Sequence, residues 1–252
     1  MLREYFVEAY NGKIWVTDEP GLAKELMKNG PVIGYVGKEM DRLDHWSGLF
    51  YLIMDWEAIT PHYLELVWCR YYQIPLIIAR TKEWSIREMK EEDAPYLCQF
   101  YGEKGEWRIP DTDGERNKNK NRTEWVLAER LRIAAYRKNV YPVRGYGMYV
   151  LEKENHPIGL VGFEMEEIAG ESRITMGYYV IPEERRKGIA KKACEILLNY
   201  VEEEYGVDQV YLRIHKKNLA SISLAKKLGF ELWMPDPIIC SDLLFRIPPA
   251  WK

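Results

Sequence analysis

Tyr178-Tyr179-Val180-Ile181-Pro182-Glu183-Glu184-Arg185-Arg186-Lys187-Gly188-Ile189-Ala190 joins two different periodicities. Up to Val180 the residues are aromatic and β-branched, as in a strand. Beyond Gly188, Ala193, Ile196, Leu197, Tyr200, Val201 and Glu204 recur at helical spacing, apolar except at the last turn, until Gly206 stops the run. The spacing therefore predicts a strand, a short basic turn with a glycine, and a helix. The first N–H groups of a helix lack intrahelical partners, its dipole favours negative charge there, and glycine lets an anion come close to the backbone. Arg185, Arg186 and Lys187 can add charge-assisted hydrogen bonds. A pyrophosphate fits such a turn, although a plain turn with solvated basic residues has the same local sequence.

Further along, residues 209–214 read as a strand, followed by Asn218-Leu219-Ala220-Ser221-Ile222-Ser223-Leu224-Ala225-Lys226-Lys227-Leu228-Gly229-Phe230. The first block, Arg-x-x-Gly-x-Ala after Val-x-Pro, resembles the coenzyme A pyrophosphate motif of the GCN5-related N-acetyltransferase (GNAT) family. The second is similar to that family's Asn-x-x-Ser/Ala-x-x-Leu-x-x-Lys-x-Gly-Phe segment. Their order, with one helix and one strand between them, also fits. Asn-x-x-Ser, with the early Ile86-Arg87-Glu88-Met89 and Glu92-Asp93, leans toward the branch resembling ribosomal-protein alanine acetyltransferases.

The resemblance implies an α+β (mixed α/β) fold over residues 83–252, with a central, mostly antiparallel twisted sheet flanked by helices. It implies acetyl-CoA (coenzyme A) as cosubstrate, no metal, and an amine acceptor. Carried over by position, Tyr178, Tyr179 and Val180 line a splayed strand that pairs with the pantetheine arm. Arg185, Arg186, Lys187, Gly188, Ile189, Ala190 and Lys191 wrap the pyrophosphate. Asn218 reaches the pantetheine or thioester, or simply caps its helix. Ser221 hydrogen-bonds the departing sulfur. The Gly- and Asn-containing segment 102–122 reads as a solvated, mobile connection or, since it lies where the family places a border of the acceptor cleft, as a cover for that site.

Three positions depart from the family pattern. The Glu usual two residues before the Gly-Tyr of the fourth strand is Thr175, the strand before Asn218 carries Arg213 in place of a carboxylate, and the Tyr that often acts as general acid is Ala225. Catalysis survives such losses, because an amine attacking a thioester needs mainly proximity, a path for its proton and stabilisation of the oxyanion. Substitute proton acceptors are Glu164 and Glu166, which alternate along one strand face where one carboxylate can raise the other's pKa, and His215, two residues past Arg213. Tyr146, Tyr149 and Trp125 are expected to pack as core aromatics, with the lining of an acceptor pocket as the alternative. The expected activity is acetyl transfer to a primary amine of a small molecule or protein N-terminus by direct attack. A non-catalytic coenzyme A-binding regulatory module is the alternative that the three departures leave open.

Residues 1–82 read as a separate small α/β domain, with strands near 13–17, 32–36 and 49–54 and helices near 21–28 and 61–72. Asp18 and Asp55 at strand ends faintly resemble the nucleophile loop of haloacid dehalogenase-type phosphohydrolases. Pro20 and Glu57 stand where the second carboxylate belongs, so a degenerate HAD-like or Rossmann-like domain of unassigned role is expected. Ligand binding, homodimerisation and stabilisation of the transferase are its candidate roles. The short connection into Trp84, without Gly or Ser, predicts a packed interface rather than a tether. Elsewhere a strand is expected over 84–89, helices over 91–101 and 124–138, and strands near 147–152, 158–166 and 173–180.

Composition narrows the partners. Lys and Arg number 36 against 39 Asp and Glu, a net charge of −3 that leaves no excess of cations for general nucleic-acid binding. The longest apolar runs, at 49–54 and 76–79, fall far short of the ~20 residues of a membrane span, and the N-terminus has no apolar signal region. No membrane partner and a cytoplasmic location are expected. Cys69, Cys98, Cys194 and Cys240 are scattered with no CxxC pair, which argues against zinc and disulfides and for free thiols, mostly in the core.

Overall fold

The computed structural model describes residues 1–37, 40–101, 121–235 and 241–248. The chain divides into two compact units, Met1–Leu76 and Ile77–Lys252.

The first unit is built on a four-stranded sheet of β1 (Leu2–Val7), β2 (Gly12–Thr17), β3 (Val32–Tyr35) and β4 (Leu52–Ile53), in that order. The β1–β2 pair is antiparallel; the other two pairs are parallel. Helix α1 (Pro20–Leu26) makes the crossover between β2 and β3, and Pro20 opens it where a missing N–H costs nothing. Helix α2 (Pro61–Tyr71) starts the same way, with the Thr60 hydroxyl accepting from Tyr63 N at 3.0 Å. Tight packing explains Gly12: a Cβ there would lie 1.9 Å from the Trp68 ring. Strand β1 had escaped the sequence reading because it is an edge strand whose side chains are mostly exposed, so no buried alternation marks it. The expected strand over 49–54 shrinks to the two residues of β4.

The second unit holds an eight-stranded sheet. Its strands are β5 (Ile77–Arg80), β6 (Ser85–Glu88), β7 (Met148–Lys153), β8 (His156–Ile168), β9 (Glu171–Val180), β10 (Tyr211–His215), β11 (Glu231–Pro235) and β12 (Asp242–Arg246). The order across the sheet is β11-β12-β10-β9-β8-β7-β6-β5. Every pair is antiparallel except β9–β10. Between strands run α3 (Ala94–Tyr101), α4 (Arg122–Asn139), the short α5 (Tyr141–Arg144), α6 (Ile189–Tyr205) and α7 (Leu219–Lys227).

The helices divide between the two faces as strand alternation requires. On one face, Phe100 of α3 packs on Tyr179 at 5.2 Å between ring centroids, and the Tyr136 hydroxyl of α4 reaches Glu164. On the other, Tyr205 of α6 packs edge-on to Tyr146, which does the same to Phe163. Helix α6 buries Ile189, Ala193, Cys194, Leu197, Leu198 and Val201, the stripe expected from its sequence, and ends at left-handed Gly206, where Val207 N bonds back to Val201 O. Each such buried Leu contributes about 1.5–3 kcal/mol. Among the described residues Cys69, Cys98 and Cys194 are buried thiols outside any disulfide, and no group of His, Cys, Asp or Glu is placed to hold a metal. No described helix is long and apolar enough to cross a membrane.

The boundary falls between Leu76 and Ile77, not at 82/83. Thr81-Lys82-Glu83, read as a restart between domains, is the turn of a hairpin: Thr81 Oγ1 donates to Trp84 O at 2.7 Å and accepts from Trp84 N at 3.0 Å. That turn folds β5 antiparallel onto β6, so the apolar run at 76–78 contributes Ile77 and Ile78 to the eight-stranded sheet. A second difference concerns the long loop. Helix α4 begins at Arg122, with Asn121 Oδ1 accepting from Glu124 N and Glu124 accepting from Asn121 N. The remainder of the proposed acceptor loop, 102–120, lies outside the described residues.

Candidate active site

Strands β8 and β9 pair along their whole length, from Gly159↔Val180 to Ile168↔Glu171. By contrast, β9 and β10 pair only at Tyr211↔Thr175. Beyond that point the two parallel strands separate, leaving the β10-facing backbone of residues 176–180 without a neighbouring strand. Ile181 N still donates to Ile158 O, so by alternation the Val180 carbonyl faces the gap, where Arg185 Nε bonds it at 2.8 Å. A split of this kind offers unpaired peptide groups to an extended amide-bearing ligand.

At the open end of the split lies the basic turn. Arg186 (φ 64°) and Gly188 (φ 79°) are both left-handed, a curl that brings successive N–H groups to one concave side. Gly188 is the N-cap of α6 and no side chain caps that helix; Lys192 N is the donor that reaches back to Gly188 O. The preceding N–H groups of the first turn thus remain for an anion. A Cβ on Gly188 would meet nothing within 4 Å, so the space above the turn is open. It opens into a cavity of about 410 Å³ whose walls include Val180, Arg186, Gly188, Lys191, Ser223 and Lys227. The two blocks singled out in the sequence therefore line one cavity, and the uncapped turn, the open cradle and the basic rim fit a pyrophosphate.

The basic residues of the turn are not equivalent. Arg185 lies over the Tyr179 ring as well as bonding Val180 O. Lys187 pairs with Glu184 at 3.0 Å, and Lys153 pairs with the same carboxylate at 3.1 Å; together they hold Glu184 below the usual carboxylate range. Arg186 is exposed on the rim.

Helix α7 faces the split from the other side. Asn218 caps it, Oδ1 accepting from Ser221 N at 3.1 Å. Tyr178 spans the gap, its hydroxyl 3.4 Å from Ser221 O, and burial pushes its phenol up to about 12.

On the opposite face of the sheet, Glu164 and Glu166 lie side by side as the alternation implied, but each has its own donors. Glu164 accepts from the Tyr136 hydroxyl at 3.2 Å, with Arg144 at 3.9 Å. Glu166 accepts from Thr175 Oγ1 at 2.7 Å and from Arg213 Nε at 3.0 Å. Thr175 and Arg213, the positions where the family's usual acids are missing, thus both serve one carboxylate on the neighbouring strand. Nothing local in the sequence links these three residues; only the register of β8, β9 and β10 does.

His215 is the exposed last residue of β10, its Nδ1 accepting from Lys217 N at 3.1 Å. Trp125 is half-buried on α4. Tyr149 does not line a pocket: it is fully buried and stacks on Tyr141 at 5.8 Å. Tyr146 is part-buried in the aromatic cluster with Phe163 and Tyr205, so core packing accounts for its position.

A sheet split between parallel strands, with an uncapped helix N-terminus at its mouth, is the arrangement that the resemblance in the sequence implied for an acyl-coenzyme A-dependent transferase. The family model described as "Acetyltransferase (GNAT) domain" matches residues 85–231, and the chain belongs to the GNAT family of acetyltransferases. A curated relative from Bacillus licheniformis, "Uncharacterized N-acetyltransferase p20", is 24% identical over 154 residues, 60% of this chain and 80% of that protein. Among solved structures, a ribosomal L7/L12 alpha-N-protein acetyltransferase in complex with coenzyme A superposes with a TM-score of 0.51 at 18% identity, covering 69% of this chain and 99% of the other. A ribosomal-protein-S5-alanine acetyltransferase from Vibrio fischeri gives a TM-score of 0.50 at 15% identity over 70% and 99%. The protein is an N-acetyltransferase with an additional N-terminal unit.

Proposed function

We propose that the chain moves the acetyl group of acetyl-CoA directly onto a primary amine of a small molecule or of a protein N-terminus. The observation that carries this reading is the cavity lined by both the Gly188 turn and α7, with Val180, the last residue of the split strand β9, among its walls. When bound, acetyl-CoA supplies an activated thioester carbonyl. Residues 185–191 hold the diphosphate, and the unpaired backbone of residues 176–180 orients the pantetheine arm. Asn218 fixes the start of α7, and its Nδ2 is left to donate toward the pantetheine or thioester. Ser221, one turn into α7, donates to the sulfur, and Tyr178, protonated at any working pH, keeps a hydrogen-bond donor at the same place. Glu164, Glu166 and His215 are the groups available to receive the amine's proton, directly or through water.

The acceptor reading extends to protein N-termini because one of the structural neighbours named above is a ribosomal L7/L12 alpha-N-protein acetyltransferase. Release of free thiol from acetyl-CoA, measured across polyamines, amino acids, aminoglycosides and N-terminal peptides, tests the proposal. Turnover with at least one primary amine is the expected result. Tight coenzyme binding with no thiol release from any of them would overturn it in favour of a binding module.

A further inference from the structure

We propose that two copies of the chain associate through the outer face of α4, packed antiparallel about a two-fold axis at Leu131. The proposal is independent of the coenzyme reading, since no residue of that face lines the cavity at the Gly188 turn.

Helix α4 turns one side to the rest of its unit, burying Glu129, Ile133 and Tyr136. A helix packed in this way ordinarily carries charged and polar residues on its other side. Here the outer side is apolar at its centre: Leu127 is 58% exposed and Leu131 66%. Ala128 and Ala134 lie half-buried on its flanks, and Ala135 is exposed. Glu124, Leu127, Leu131, Ala134 and Lys138 fall at the i, i+3, i+7, i+10 and i+14 positions of a heptad seam, with Ala128 and Ala135 beside it. The seam is about 21 Å long, with an acid at its start and a base at its end.

The order of residues along the seam selects a second copy as its occupant. Turned end for end about Leu131, the same sequence puts Glu124 opposite the partner's Lys138, Leu127 opposite the partner's Ala135 and Ala128 opposite the partner's Ala134, while Leu131 meets its own equivalent. Leu127 thus faces a small side chain, which lets the two helix axes approach to about 8 Å. Each end joins opposite charges and opposite poles of the helix dipoles. A parallel pair would instead set acid against acid and base against base. The charges are available for this: Lys138 makes no ion pair among the described residues, and the Glu124 carboxylate accepts from Asn121 N through Oε2, leaving Oε1. The face is its own complement, as a two-fold interface requires. A helix pair buries less than the ~1,200 Å² of a standard interface, so self-association is expected in the range of about 10–100 µM.

Sedimentation equilibrium on the full chain, at concentrations on both sides of that range, should show a monomer–dimer transition. Leu131→Glu sets two carboxylates at the axis and should leave a monomer throughout, with the circular dichroism and urea midpoint of the wild-type monomer because Leu131 is exposed. Cysteine cross-linking under mild oxidation reads the geometry, against a wild-type background in which Cys69, Cys98 and Cys194 are buried. Leu131→Cys should form a covalent dimer, because the residue at the axis meets itself. Leu127→Cys should not, since its equivalent lies about 12 Å further along the seam, but it should cross-link when mixed with Ala135→Cys. A wild type that stays monomeric, a dimer that Leu131→Glu leaves intact, or self-cross-linking of Leu127→Cys as ready as that of Leu131→Cys would each overturn the proposal.

Discussion

At Gly188 the backbone angle dictates the residue, because a side chain there would meet no neighbour but would have to take φ 79°. Gly188→Ala is a strain of about 1 kcal/mol. Gly188→Glu adds a carboxylate at the mouth of the anion cradle and is expected to weaken coenzyme binding about a hundredfold or more while the fold persists. Unchanged affinity by calorimetry in a folded variant would remove the cradle from the site. Arg87 has a different kind of importance. Only 4% exposed, it makes two bonds to Asp93, at 2.7 and 2.8 Å, and two to Glu152, and Asp93 in turn accepts from Lys90 N ahead of α3. Burial would raise the Glu152 pKa, but the hydrogen bonds and charges of Arg87 and Lys90 outweigh it and hold Glu152 below its ordinary value. The stability contributed by a carboxylate with a depressed folded pKa is complete above its unfolded pKa, about 4.5, and is lost as pH falls through the folded one. Arg87→Met strands two acids and is expected to cost about 3–5 kcal/mol at neutral pH, with the loss shrinking below about pH 4.5 as Glu152 becomes protonated. Urea unfolding across pH 3–7 measures both effects; a pH-independent difference would contradict the ion-pair account.

Where β9 and β10 part, Thr175, Glu166 and Arg213 tie β8, β9 and β10 together beside the last shared pair, Tyr211↔Thr175. This bond set fixes the root of the split, and it separates two roles for Glu166. As a tie it acts through Arg213, so Arg213→Met and Glu166→Gln should each lower kcat/KM about tenfold or more, and the double variant should be no worse than the poorer single one. In its proposed role as proton acceptor Glu166 would act alone, and its loss would add to that of Arg213. Additive losses in the double variant would therefore leave the tie without support. The same elements show what a sequence can reveal. The Gly188 turn, the α6 stripe and the Asn218 cap are legible because each depends on residues a few positions apart. The tie is not, since its members come from three strands, and the substitutions at Thr175 and Arg213 look like plain losses until the register places Glu166 between them. Tyr149 shows the ambiguity that remains: an aromatic residue on a strand can point to either sheet face, and this one packs in the core, the reading preferred for it from the sequence. Strands β11 and β12 went unanticipated, and β5 was assigned to the wrong unit because an apolar run of four residues does not say which sheet it joins.

Across the whole molecule, the corrected boundary changes what a shortened chain should do. Every residue lining the cavity at the Gly188 turn lies beyond Ile77, so a chain beginning at Leu76 is expected to fold and to bind coenzyme A with the affinity of the complete protein. A chain beginning at Thr81 looks equally innocent from the sequence but lacks β5. It loses the pairing of Ile77 with Arg87, Ala79 with Ile86 and Arg80 with Ser85, along with the packing of Ile78 and Ala79 against the core. A few ladder hydrogen bonds at 0.5–1.5 kcal/mol each, plus that apolar area, make the cost about 2–4 kcal/mol. It would also bare the edge of β6, an invitation to aggregation. Urea midpoints of the three chains separate the contributions. The Thr81 chain should unfold first, and equal midpoints for the Leu76 and Thr81 chains would mean that β5 is an ornament of the sheet rather than part of it. The comparison of the Leu76 chain with the complete protein then tests the expectation drawn from the short connection: a lower midpoint supports an interface between the units, whereas equal midpoints and equal activity on every acceptor make residues 1–76 an independent module with a ligand or partner of its own.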